Sequence, residues 1–153
     1  MKSQEISEHR QHLDYLFKRV ASVSGDIEFQ AYWAQYLCVL TSGFIENSVR
    51  NLYTRYAKVG SNAFVANYVS HELQSFQNAK AERILELTKL FNPEWEVALR
   101  DYMKDKRKDA IDSVVNLRHQ IAHGRSVSVT FARIRDYYQS SVEVIDFIDG
   151  LLQ

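Results

Sequence analysis

Apolar residues recur along this chain at intervals of three and four, the spacing that puts side chains on one face of a helix. Ile6, Leu13, Leu16, Phe17 and Val20 give the apolar side of a first helix over about Ser3 to Ser22, and Ser24-Gly25-Asp26 reads as a turn. A long helix follows from about Ile27 to Lys58, with Thr41-Ser42-Gly43 as the place where it would kink. Its stripe of Trp33, Leu37, Leu40, Phe44, Ile45, Val49, Leu52 and Tyr56 is apolar over a wide arc, which places it at the centre of a bundle. Val59-Gly60-Ser61-Asn62 ends it; helices over Ala63 to Phe76 and Ala79 to Phe91 come next. Pro93 sits at the first position of a short helix capped by Asn92 and carrying Trp95, Ala98, Leu99 and Tyr102. From about Arg107 to His123, Ala110, Ile111, Val114, Leu117 and Ile121 share one side, and Gly124 stands where a helix stops. After a loop over Arg125-Ser126-Val127-Ser128, a final helix from about Thr130 to Leu151 carries Phe131, Ile134, Tyr138, Val142, Ile145, Ile148 and Leu152. With no repeat, low-complexity tract or linker, the pattern predicts one all-α domain over residues 1–153, a bundle of about six to seven helices.

Composition agrees with that. One proline and five glycines against nine tyrosines and eight phenylalanines favour long helices over many short strands. At 153 residues the chain can bury a sizeable core. The lone cysteine, Cys38, rules out an internal disulfide and suits a reducing compartment. Met1-Lys2-Ser3-Gln4-Glu5 has no apolar run, so no secretory signal is expected, and no stretch is long enough to span a bilayer; a cytoplasmic, membrane-free protein is the expectation. A formal net charge of zero argues against a general nucleic-acid coat but leaves room for an enzyme engaging a short single strand. Charge is locally uneven: Lys104, Lys106, Arg107 and Lys108 form a basic run, and Arg125, Arg133 and Arg135 follow. The run suits a solvated linker or a phosphate track equally.

The chemistry gathers at Asn116-Leu117-Arg118-His119-Gln120-Ile121-Ala122-His123-Gly124. A helix end is partly negative, so Arg118, His119 and protonated His123 are favourable there as plain charge complements. At about 100° per residue, Asp109, Asp112, Asn116, His119, Gln120 and His123 make a polar stripe. Arg118 projects roughly 140° from His123, at the border of the apolar face near Val115 and Ala122. An arginine there is costly unless it is paired or lines a cleft, so a groove or subunit interface is expected. Arg118 and His123 converge only if the helix end unwinds or a shared cleft unites them.

Arg118 and His123, separated by four residues in Leu-Arg-His-x-Ile-Ala-His-Gly, resemble the R-x4-H motif of the HEPN superfamily. The flanks are most similar to its RiboL-PSP branch, and Ser42-Gly43-Phe44-Ile45-Glu46-Asn47-Ser48-Val49-Arg50 resembles that branch's long second helix. The resemblance implies a HEPN-like fold, metal-independent RNA cleavage without a cofactor, and a homodimer with its active site at the interface. It also implies a toxin or defence role, with an antitoxin or defence-complex protein as a further partner. Some branches have lost activity and serve as modules binding a nucleotide or a partner protein, which is the alternative.

RNA carries its own nucleophile, the 2′-OH. A histidine, with an ordinary pKa of about 6.5, can move protons near neutrality. An arginine clamps phosphate oxygens and keeps its charge. Arg118 and His123 are the candidate catalytic residues, with Asn116, His119 and Glu46 in support. Glu46 either pairs with Arg50 four residues on or orients Arg118. Lys106, Arg107 and Arg125 are candidate RNA contacts. His9 and His12 have a ligand-like spacing but no evident third ligand, so no metal site is expected. His71 reads as a surface or boundary histidine. Tyr137 and Tyr138 suit either the core or stacking on a base.

Overall fold

A computed structural model describes residues 3–23 and 26–153; Ser24 and Gly25 of the expected turn lie outside them. Among the described residues there are seven helices and no strand. They are α1 (Gln4–Ser22), α2 (Ile27–Gly60), α3 (Ala63–Leu73), α4 (Ala81–Phe91), α5 (Pro93–Met103), α6 (Lys106–Ala122) and α7 (Phe131–Leu151). No helix among the described residues is long and apolar enough to cross a membrane.

Side-chain caps set most of the starts, each oxygen taking up a backbone N–H that the helix leaves orphaned. Asp26 accepts from Phe29 N (3.1 Å), Asn62 from Val65 N (3.0 Å), Asn92 from Glu94 N (2.9 Å) and Thr130 from Arg133 N (3.1 Å). Pro93 occupies the first turn of α5, where its missing N–H costs nothing. α3 ends at Leu73, short of the Phe76 that its pattern suggested. Phe76 and Ala79 are buried all the same, inside the connection to α4. The N–H groups of Gln74, Ser75 and Phe76 bond three residues back rather than four, which tightens the helix end, and the Arg50 guanidinium donates to the Phe76 carbonyl at 2.6 Å beyond it.

α2 is one helix of 34 residues and the axis of the bundle, packed against α1, α3, α6 and α7. Ala34, Leu37, Cys38, Phe44, Ile45, Val49 and Leu52 are buried along it, as are Thr41, Ser42 and Ser48. The Thr41 hydroxyl can afford burial because it donates to the Leu37 carbonyl (2.8 Å). The stripe read from sequence runs through Tyr56, but that ring is 38% exposed while Tyr53 is fully buried. α4 decides this: Tyr53 packs on Phe91 with centroids 4.7 Å apart, and its hydroxyl lies 2.5 Å from Thr88 Oγ1.

α1 closes the bundle over α7. Phe17 stacks on Tyr138 at 4.7 Å, and the Tyr138 hydroxyl donates to Asp14 Oδ1 (2.7 Å). Tyr138 is therefore a core residue, and burial with the Asp14 carboxylate beside it raises its pKa. Burying side chains of this size contributes about 1.5–3 kcal/mol each to holding α1, α2 and α7 together. α6 and α7 pack against each other and against α2, and near the end of α6 Leu117 and Ile121 pack on the core.

Candidate functional site

α6 stays helical through Ala122, with His123 as its cap residue. Gly124 has φ +70°, the left-handed conformation that ends helices. Its N–H donates to the Ile121 carbonyl (3.0 Å), and the Arg125 N–H reaches back to the Gln120 carbonyl (3.0 Å). These two bonds form a Schellman cap and take up the carbonyls that the helix leaves open. The His123 N–H still donates to the His119 carbonyl at 3.1 Å. The helix end therefore does not unwind, and Arg118 and His123 keep the wide angular separation expected from their spacing.

Arg118, His119 and His123 are all exposed. Among the described residues no carboxylate pairs with Arg118 and no hydrogen bond engages its guanidinium. The two imidazoles meet edge to face, with centroids 4.4 Å apart at 61°. The chain thus presents an arginine and two touching histidines to solvent on a backbone fixed by a cap. Among the described residues no hydrogen bond joins the two rings, so each imidazole is open to exchange a proton with a bound group, and an unpaired guanidinium is ready for an oxyanion. Asn116 is also exposed, but it faces α7 across a groove, about 160° round the helix from Arg118.

Glu46 is engaged elsewhere. It accepts from Arg50 (2.9 Å) and from the Asn78 N–H (3.3 Å), so it braces the α3–α4 connection and makes no contact with Arg118. Arg107 donates to Glu143 (2.7 Å) and lies 4.1 Å over the Tyr102 ring, while Lys104 pairs with Asp101 at 2.7 Å. Arg107 therefore ties α5, α6 and α7 together, whereas the Lys104 pair is local to the end of α5. Lys106 and Arg125 are exposed and bridge to no carboxylate among the described residues. His9 packs edge-on to Phe44 at 5.5 Å, and burial, with His12 next in weight, lowers its pKa. No cluster of three or more His, Cys, Asp or Glu able to hold a metal ion occurs among the described residues.

Sequence reasoning missed the groove between α6 and α7. It measures about 450 Å³, and its walls include Asn116 and Gln120 from α6 and Arg133 and Tyr137 from α7. The i,i+4 spacing of each pair was the available signal, but it does not say which helices face each other.

The RiboL-PSP-HEPN family model matches residues 4–153, nearly the whole chain, and the chain belongs to that family. No curated protein and no solved structure gives a significant match. HEPN domains are often ribonucleases, and membership suggests a nuclease or RNA-related role in general.

Proposed function

We propose that this member of the RiboL-PSP-HEPN family is a metal-independent endoribonuclease acting in the cytoplasm, with Arg118 and His123 as its catalytic residues. The observation that carries the reading is the end of α6: an unpaired Arg118 and the touching His119–His123 pair, exposed on a capped helix.

In this reaction the RNA 2′-oxygen attacks the adjacent phosphorus. His123 removes the 2′-OH proton, and Arg118 holds the phosphorane oxygens as charge builds on them. The bond to the 5′-oxygen breaks, and that oxygen takes up a proton from a protonated imidazole. The products are a 2′,3′-cyclic phosphate and a 5′-OH. His119, in ring contact with His123, relays the proton or serves as the acid. Asn116 positions the neighbouring nucleotide. Because the cap keeps Arg118 and His123 of one chain apart, a symmetric dimer completes the site, each chain supplying the group the other cannot reach. A toxin or defence role, opposed by an antitoxin or set within a defence complex, follows on the same reading.

The test is cleavage of a mixed tRNA and mRNA pool in excess EDTA. The native protein is expected to leave cyclic phosphate ends. His123→Ala should lose about 10²–10⁴-fold in rate, as removal of a general acid–base does. Arg118→Ala should lose about 10²–10³-fold. Equal cleavage by native and variant proteins, or a native mass equal to one chain alongside full activity, would sink the proposal.

A further inference from the structure

We propose that the α6/α7 groove is a nucleotide subsite, holding the base and phosphate of one nucleotide of a single strand whose scissile bond lies at the end of α6. The inference rests on the ribonuclease reading for its strand, but the groove carries its own evidence.

Its volume of about 450 Å³ lies in the range of small-ligand pockets. Two side-chain pairs face each other across it, each spanning one helical turn: Asn116 and Gln120 on α6, Arg133 and Tyr137 on α7. Ser128 and Thr130 line the rim, and no carboxylate does. The walls are held in place. Val127 and Val129 anchor the loop in the core, and the Gln35 amide donates to the Val127 carbonyl (3.4 Å). The Gln120 carbonyl belongs to the Schellman cap that also sets His123.

The polar groups of this groove face water rather than each other. Among the described residues, no hydrogen bond engages the side-chain amides of Asn116 and Gln120, the Arg133 guanidinium or the Tyr137 hydroxyl. Tyr137 is half-buried and packs against the core, so its ring is a fixed platform. One cation, one aromatic face and two donor–acceptor amides are the chemistry of a nucleotide. The guanidinium takes the phosphate, the ring stacks on the base, and the amides read the base edge. An acidic peptide would call for several cations, and the groove lining has one.

The other face of α7 supplies an internal control. Arg135, two residues from Arg133 and equal in charge, lies 5.4 Å over the Phe131 ring and lines a different hollow beside α1.

The experiment is fluorescence anisotropy of a labelled single-stranded RNA hexamer against the full chain in the His123→Ala background, where the proposed cleavage cannot consume it. Arg133→Gln and Tyr137→Leu are each expected to weaken binding by roughly tenfold, within the span typical of a stacked base. Tyr137→Phe should retain it, and Arg135→Gln should change it less than twofold. Arg133→Gln should also lower the salt slope by about one. The proposal is overturned if Arg133→Gln and Tyr137→Leu, both folded by circular dichroism, bind as the background does. It is equally overturned if a hexaglutamate peptide binds with the same dependence on Arg133 and Tyr137. The two readings fail separately. A native protein that cuts no RNA while the groove variants lose hexamer binding removes the ribonuclease and keeps the subsite. Normal cleavage with unchanged hexamer binding removes the subsite alone.

Discussion

Gly124 is the smallest residue of the site, and its replacement by alanine tests how that site is held. At φ +70° an L residue bears left-handed strain of about 1–2 kcal/mol, which glycine escapes. A Cβ built at Gly124 meets nothing within 4 Å, so no steric clash adds to this. If the chain instead abandons the left-handed turn, it forfeits the Gly124–Ile121 and Arg125–Gln120 hydrogen bonds, each worth about 0.5–1.5 kcal/mol net. The chain takes whichever route is cheaper, so Gly124→Ala should lose about 1–2 kcal/mol. Gly124→Asn should lose less, because asparagine tolerates this region, and Gly124→Val should lose most. Urea denaturation would read the effect as a lower midpoint at an unchanged slope. RNA cleavage by Gly124→Ala, at a temperature where it is fully folded, should fall several-fold, because the cap that fixes His123 has loosened. An alanine variant as stable as the native protein, or an asparagine variant worse than alanine, would refute the claim that this backbone geometry ends α6.

Three further outcomes follow from the packing. The single proton of the Thr88 hydroxyl goes to the Ile84 carbonyl (2.8 Å), so the Tyr53 hydroxyl must donate to Thr88. Thr88→Val should then cost about 1–3 kcal/mol by stranding a buried donor, Tyr53→Phe only about 1 kcal/mol, and the double variant less than their sum in a double-mutant cycle. Burial lifts the Cys38 thiol from its ordinary value near 9 to about 12. The unfolded chain thus loses this proton first, and stability should fall by up to about 1.4 kcal/mol per pH unit above pH 9. Tyr53, raised to about 12 by burial, and Tyr138, also raised, join as the pH nears 10, so Cys38→Ala should lessen the fall of the urea midpoint between pH 9 and 10 without abolishing it. Glu46→Gln should lower stability by about 1 kcal/mol, because Arg50 loses a half-buried partner, and should leave the cleavage rate unchanged; a large rate loss without destabilisation would restore the link to Arg118.

The sequence by itself determined most of the helices and the clustering of Arg118, His119 and His123 at the end of α6. Helical order depends on nearest neighbours along the chain, so the three–four spacing, Asn92-Pro93 and Gly124 marked elements and ends without knowledge of their packing. The Arg118, His119 and His123 cluster was legible for the same reason, being one short segment. What each face of a helix meets is not a local property. The stripe on α2 reads through Tyr56, and the position of α4 buries Tyr53 instead. Glu46 stood equally open to Arg50 and Arg118 until the α3–α4 connection closed over it through the Asn78 N–H. Arg107 read as a free cation until α7 brought Glu143 to 2.7 Å. Asn116 and Gln120 lie far along the chain from Arg133 and Tyr137, and only the docking of α6 on α7 makes a groove of them. Pairings across helices are set by which surfaces bury the most apolar area together, and that sum runs over the whole chain.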